Sequence, residues 1–210
     1  MFQDFKELLS EFNDHHVRYL VVGGYAVSYH GQPRGTKDLD VLIGPDAINR
    51  KAVFAALVKF GAPVSGLTDR DFADPESFFR MGTPPVMVDI LAKIKGVDFE
   101  SAWARRVSVS IDGELSAPFI SSEDLVASKI AAGRPQDLAD VASLRDAAHQ
   151  RVASGSQSLE DMRAEGRENW LRYRQTAQIQ SSGEVSEAQS GKALRNLDDP
   201  GQGPDDDLSP

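Results

Sequence analysis

The sequence predicts an α/β (α+β) domain, a small mixed β-sheet with helices packed on it, followed by C-terminal helices and a tail. Three observations carry this. Apolar runs too short for helices (17–22, 39–43 and Val86–Leu91) alternate with segments whose apolar residues recur at helical spacing. Asp112-Gly113 separates two β-like runs, a hairpin signal. The composition also changes near residue 150, from runs rich in apolar and aromatic side chains to a polar stretch.

Phe2, Phe5, Leu8, Leu9 and Phe12 share one face of an amphipathic first helix. Residues 17–22 form a strand that runs into Gly23-Gly24, and 24–30 a short helix. Gly31, Pro33 and Gly35 make 31–37 a loop, which leads into a strand over 39–43. A helix follows over 45–60, with Pro45 in its first turn and Gly61 past its end. Val86–Leu91 is a third strand. The runs 107–111 and 115–120 form the hairpin. Ser121 caps a helix to about residue 130, and Gly133 ends it. Pro135 opens another, to about residue 148. The expected order is helix, strand, helix, strand, helix, strand, hairpin, helix pair.

The organisation read from this is a domain over 1–150, a helical extension over 151–175 (helix over 158–175) and a disordered acidic tail over 176–210. The tail has too little apolar surface to offset its ordering entropy. The 210-residue chain is large enough for a core without staples, and its lack of cysteine excludes disulfides and thiolate sites. No run is long enough to span a membrane, and the first helix carries acids unlike a signal peptide. These features fit a cytoplasmic protein. The net charge of −9 argues against a broad nucleic-acid-coating surface but leaves room for a local basic groove.

The chemistry concentrates at Gly23-Gly24 and at Asp38-Leu39-Asp40. Alternate side chains of a strand share a face, so Asp38 and Asp40 project together. Two carboxylates beside a glycine turn at a helix start suit Mg²⁺ and a polyphosphate. Asp89 lies inside the apolar Val86–Leu91 run, where an acid is costly to bury unless paired or metal-bound. Taken alone it reads as a salt bridge or a strand-end residue. Beside Asp38 and Asp40 it reads as the third carboxylate of a one- or two-metal site, able to accept the proton of an acceptor hydroxyl. Arg34 is equally suited to binding phosphate and to pairing with Asp38. Lys129, on an apolar helix, reads from its surroundings as a snorkelling surface residue. Asp137 and Asp140 share a helix face, and Asp137 suits the first turn for dipole reasons alone. His30 reads as a packing residue.

Gly23-Gly24-Tyr25-Ala26 with His30-Gly31, then Arg34-x-Thr36-x-Asp38-x-Asp40, resembles the polymerase-β-type nucleotidyltransferase superfamily. More narrowly, Val88-Asp89-Ile90-Leu91, Gly96-Val97-Asp98-Phe99-Glu100 and Lys129 with Gly133-Arg134-Pro135-Gln136-Asp137-Leu138-Ala139-Asp140 resemble small bacterial proteins related to the AbiEii abortive-infection toxins. The resemblance spans about residues 1–148. It implies Mg²⁺-dependent transfer of a nucleoside monophosphate from an NTP to an acceptor hydroxyl of RNA (tRNA) or protein, a toxin-like role and a cognate antitoxin. A small-molecule acceptor fits the same chemistry. It implies Asp38, Asp40 and Asp89 as metal carboxylates, Gly23 and Gly24 as the phosphate cradle, Lys129 as a phosphate contact, and Asp140 as an acid near the nucleotide. Many superfamily members carry Gly-Ser where this chain has Gly23-Gly24, which removes a hydroxyl but keeps the backbone donors. The alternative expectation is a catalytically silent nucleotide-binding module or an antitoxin-type partner.

Overall fold

The computed structural model describes residues 1–84, 86–113, 115–153, 166–168 and 171. The helix expected over 158–175 and the tail over 176–210 lie outside the described residues, apart from helical positions 166–168 and 171. Among the described residues no helix is long and apolar enough to cross a membrane.

The elements run α1 (Gln3–Asp14), β1 (Tyr19–Val21), α2 (Gly23–His30), β2 (Asp38–Ile43), α3 (Ala47–Phe60), a 3-10 turn (Asp69–Phe72), β3 (Phe78–Thr83), β4 (Val86–Leu91), α4 (Phe99–Ala104), β5 (Val107–Ile111), β6 (Leu115–Phe119), α5 (Ser122–Ala132) and α6 (Pro135–Ala153). Six strands form one mixed sheet in the order β3-β4-β2-β1-β6-β5. The central pairs mix both senses: β1 is antiparallel to β2 and parallel to β6, while β2 is parallel to β4.

Local chemistry sets the element ends. Asp46 caps α3 by accepting from Asn49 N–H, so the helix starts at Ala47 and not at Pro45 as expected. Ser121 caps α5 through Asp124 N–H at 3.1 Å. Asp112 and Gly113 take φ of 58° and 83° in the connection between Ile111 and Leu115, which pair across it. α1 buries the expected stripe, Phe5, Leu8, Leu9 and Phe12, and packs on α3. Tyr19, Tyr25, Phe119, Leu20, Leu39 and Leu42 are also fully buried. Each such side chain contributes about 1.5–3 kcal/mol.

Two elements depart from the expected order. α4 follows β4, and its Phe99 and Trp103 rings stack at 6.0 Å. β3 pairs antiparallel with β4 along the sheet edge. Its only buried residue is Met81, so it has no apolar alternation for a sequence reading to find.

Candidate active site

β1 delivers the chain to Gly23, where α2 starts. Asp40 stands beside this turn on the neighbouring strand, and Val22 N–H donates to Asp40 C=O at 2.9 Å. Gly24 N–H, at the α2 N-terminus, faces the Asp40 carboxylate and acts to hold its carboxyl down. The glycine pair is required by this approach. Gly23 has φ +60°, and a Cβ there would lie 1.9 Å from Asp40 Oδ2. A Cβ on Gly24 would lie 2.6 Å from Thr36 Oγ1. Gly23-Gly24 therefore seats Asp40 and the 31–37 loop.

Sheet register brings the second acid to the first. β2 and β4 run parallel with Asp40 opposite Asp89, and Asp38 opposite Met87. Burial, then repulsion from Asp89 and Asp38, pushes the Asp40 carboxyl up to about 6. β3 carries the register one strand further, setting Arg80 opposite Asp89. Arg80 donates from Nε to Asp89 Oδ1 and from its terminal nitrogen to Oδ2, both at 2.6 Å. Asp89 is 7% exposed. The salt-bridge reading of Asp89 is thus realised alongside its proximity to Asp40. Sequence reasoning missed Arg80 because it missed its strand.

Lys129, Arg34 and Asp140 meet in a second cluster. Lys129 Nζ lies 2.7 Å from Asp140 Oδ2 and 3.0 Å from Asp137 Oδ1. The turn through Gly133 and Arg134 folds α6 back on α5, so the shared face of Asp137 and Asp140 lands over Lys129. Lys129 is buried rather than snorkelling at the surface. Arg34 pairs with Asp140 at 2.9 Å, not with Asp38. Asp140 also accepts from Gln136 at 3.1 Å and is 2% exposed. His30 is a packing residue: its Nε2 lies 2.7 Å from Ile120 C=O, and burial pushes its imidazole down to about 4.

A cavity of about 730 Å³ opens over these clusters. Gly23, Gly24, Arg34, Asp40, Lys129 and Asp137 line it, and of the three acids expected at a metal site Asp40 is the one on its wall. Arg134 and two lysines that the sequence reading did not single out, Lys93 and Lys95, add a basic side, and the alternation Lys93-Ile94-Lys95 follows directly on the Asp89 strand.

The donor set fits a hard divalent cation. Asp40 is crowded by two like charges, a strain that a cation beside it relieves, and all three side chains offer oxygen alone. Among the described residues no three His, Cys, Asp or Glu side chains converge as a ready-made metal cage, and both oxygens of Asp89 are engaged by Arg80.

In comparison with solved structures, the chain is similar to the solution structure of the antibiotic-resistance factor ANT(2″)-Ia, at 15% identity and a TM-score of 0.45, over 84% of this chain and 96% of that one. A comparison with curated proteins finds no match. The family described as "Nucleotidyltransferase of unknown function (DUF6036)" matches residues 1–149, which include every residue of both clusters and the cavity wall. The chain belongs to this nucleotidyltransferase family.

Proposed function

We propose that this protein transfers a nucleoside monophosphate from an NTP to an acceptor hydroxyl, using Mg²⁺. The observation that carries the reading is the side-by-side register of Asp40 and Asp89, with Asp40 on the cavity wall at the start of α2. Asp38, Asp40 and Asp89 would hold the metal. Bound there, the ion offsets phosphate charge and makes the acceptor hydroxyl more acidic.

The chain's own groups supply the rest. Arg34 and Lys129 line the cavity and offer positive charge to the phosphates, together with Lys93, Lys95 and Gly23 at the helix start. Asp140 and Asp137 hold Lys129 in place through their ion pairs. The acceptor oxygen bonds to the α-phosphorus, the bond to pyrophosphate breaks, and Asp89 takes the hydroxyl proton. The resemblance of the 133–140 segment to AbiEii-related proteins supports an RNA (tRNA) or protein acceptor, a toxin-type role and an antitoxin partner.

The test is incubation with each labelled NTP, Mg²⁺ and either total tRNA or a protein extract. Wild type should transfer label, and Asp38→Ala should lower the rate on the order of 10²–10³-fold. Clear NTP binding with no transfer under any combination refutes the enzyme reading. It leaves the second reading, a catalytically silent nucleotide-binding module, which the Arg80 clamp on Asp89 favours.

A further inference from the structure

The two oxygens that Asp89 would offer a metal or a proton are both taken by one guanidinium. Arg80 and Asp89 are direct partners across β3 and β4, and the pair is bidentate, the strongest geometry an arginine and a carboxylate make. The charge on Arg80 is also felt by Asp38 and Asp40. Arg80 therefore serves as counter-ion to Asp89, with Asp38 and Asp40 close by. The side chain is 49% exposed on an edge strand, and its guanidinium sits 5.2 Å from the ring centre of Phe78, itself exposed.

We propose that Arg80 is a positioning residue that competes with the divalent cation for Asp89, so that metal binding and Arg80 release are one event. Two cations cannot both own the same carboxylate oxygens. In the clamped arrangement Asp89 is not available as a ligand, and the apparent metal affinity is lowered by the fraction of molecules that remain clamped. Release turns the guanidinium from Asp89 toward solvent, beside the exposed Phe78 ring. Asp89 then becomes available beside Asp40 when metal arrives. A site built this way keeps Asp89 paired while empty and assembles its third carboxylate on loading.

The proposal rests on the metal-dependent reading above, and the test separates the two. Mn²⁺ binding to the full-length protein is measured by titration calorimetry and by loss of the free-ion electron paramagnetic resonance signal. The proteins are wild type, Arg80→Gln, Arg80→Lys and Arg80→Gln/Asp89→Asn, each checked for folding by circular dichroism. Arg80→Gln should bind Mn²⁺ about tenfold more tightly than wild type, as expected if roughly nine molecules in ten are clamped. Arg80→Lys, which keeps the charge but loses the bidentate fork, should fall between the two. The double variant should lose the gain. A folded Arg80→Gln that binds no more tightly than wild type overturns the role of Arg80 and leaves the metal site standing. Absence of Mn²⁺ binding in both wild type and Arg80→Gln overturns the metal reading and this proposal with it. Arg80→Lys separates the cases if Arg80→Gln fails to fold, since a lysine variant as weak as wild type also overturns the competition.

Discussion

Gly23 and Asp40 approach so closely that the missing side chain of one is the seat of the other: a Cβ on Gly23 would lie 1.9 Å from Asp40 Oδ2. Gly23→Ala thus has two separable consequences. An L-residue at φ +60° costs about 1–2 kcal/mol from the backbone alone. The methyl group also expels the Asp40 carboxylate from the α2 N-terminus. Thermal unfolding should show a loss of at least that size, and NTP transfer should fall much further than stability does. A variant that keeps wild-type transfer rates would show that the seat of Asp40 does not matter to the reaction.

The pH dependence of stability follows from Asp40. Its carboxyl is held at about 6 by burial and by Asp89 and Asp38, against an ordinary value of 3.8. Between those two values the folded protein keeps a proton that the unfolded chain has lost. The folded state then binds more protons, so stability falls as pH rises through this window and levels off above it. Asp40→Asn keeps the size and shape of the side chain and removes the charge. It should match wild type near the lower end of the window and exceed it by about 1–3 kcal/mol above the upper end. Urea unfolding at a series of pH values reads this directly. Equal stabilities at neutral pH would mean that the ionised carboxylate is not penalised.

How much of this site the sequence discloses depends on how local its encoding is. Asp38 and Asp40 are two apart in one strand, so strand parity alone sets them together, and Asp89 announces itself as an acid in an apolar run. The cap at Ser121 and the turn at Asp112-Gly113 are likewise local. Arg80 is not legible because β3 buries one residue and carries no period-two pattern. The pairing of Arg34 with Asp140 joins residues 106 apart, and nothing near Arg34 distinguishes that partner from the nearby Asp38. The glycine pair was legible as a turn. Its closeness to Asp40 depends on how β1 and β2 pair, which only the assembled sheet defines.

Lys129 is the hub of the second cluster, and its removal is expected to be costly. Lys129→Met deletes the cation between two carboxylates while roughly preserving the volume of the chain. Asp137 and Asp140 are then left facing each other, with Asp140 still paired to Arg34 and Asp137 deprived of its closest cation. Breaking one side of a buried ion pair typically costs about 3–5 kcal/mol. Denaturant unfolding should show a loss of that order, and Lys129→Met/Asp137→Asn should recover part of it. A change below about 1 kcal/mol would mean that water already screens this cluster.

The basic side of the cavity makes a prediction that separates binding from chemistry. Lys93 and Lys95 are exposed and lie on the wall that also carries Asp40 and Lys129. On a chain of net charge −9 they give this opening a local positive field that favours an incoming triphosphate. Neither lysine belongs to the acidic cluster, so their charge acts on the approach and hold of the nucleotide. Lys93→Glu/Lys95→Glu should therefore raise KM for the NTP about tenfold at low ionic strength and leave kcat within about twofold. Because exposed charges are screened over roughly 8–10 Å, the KM difference should shrink as salt rises from 0.01 to about 0.15 M. Initial rates over a matrix of NTP and salt concentrations give both quantities. An unchanged KM would place the phosphates away from these two lysines, against Arg34 and Lys129. A fall in kcat without a change in KM would instead tie the lysines to the reacting groups.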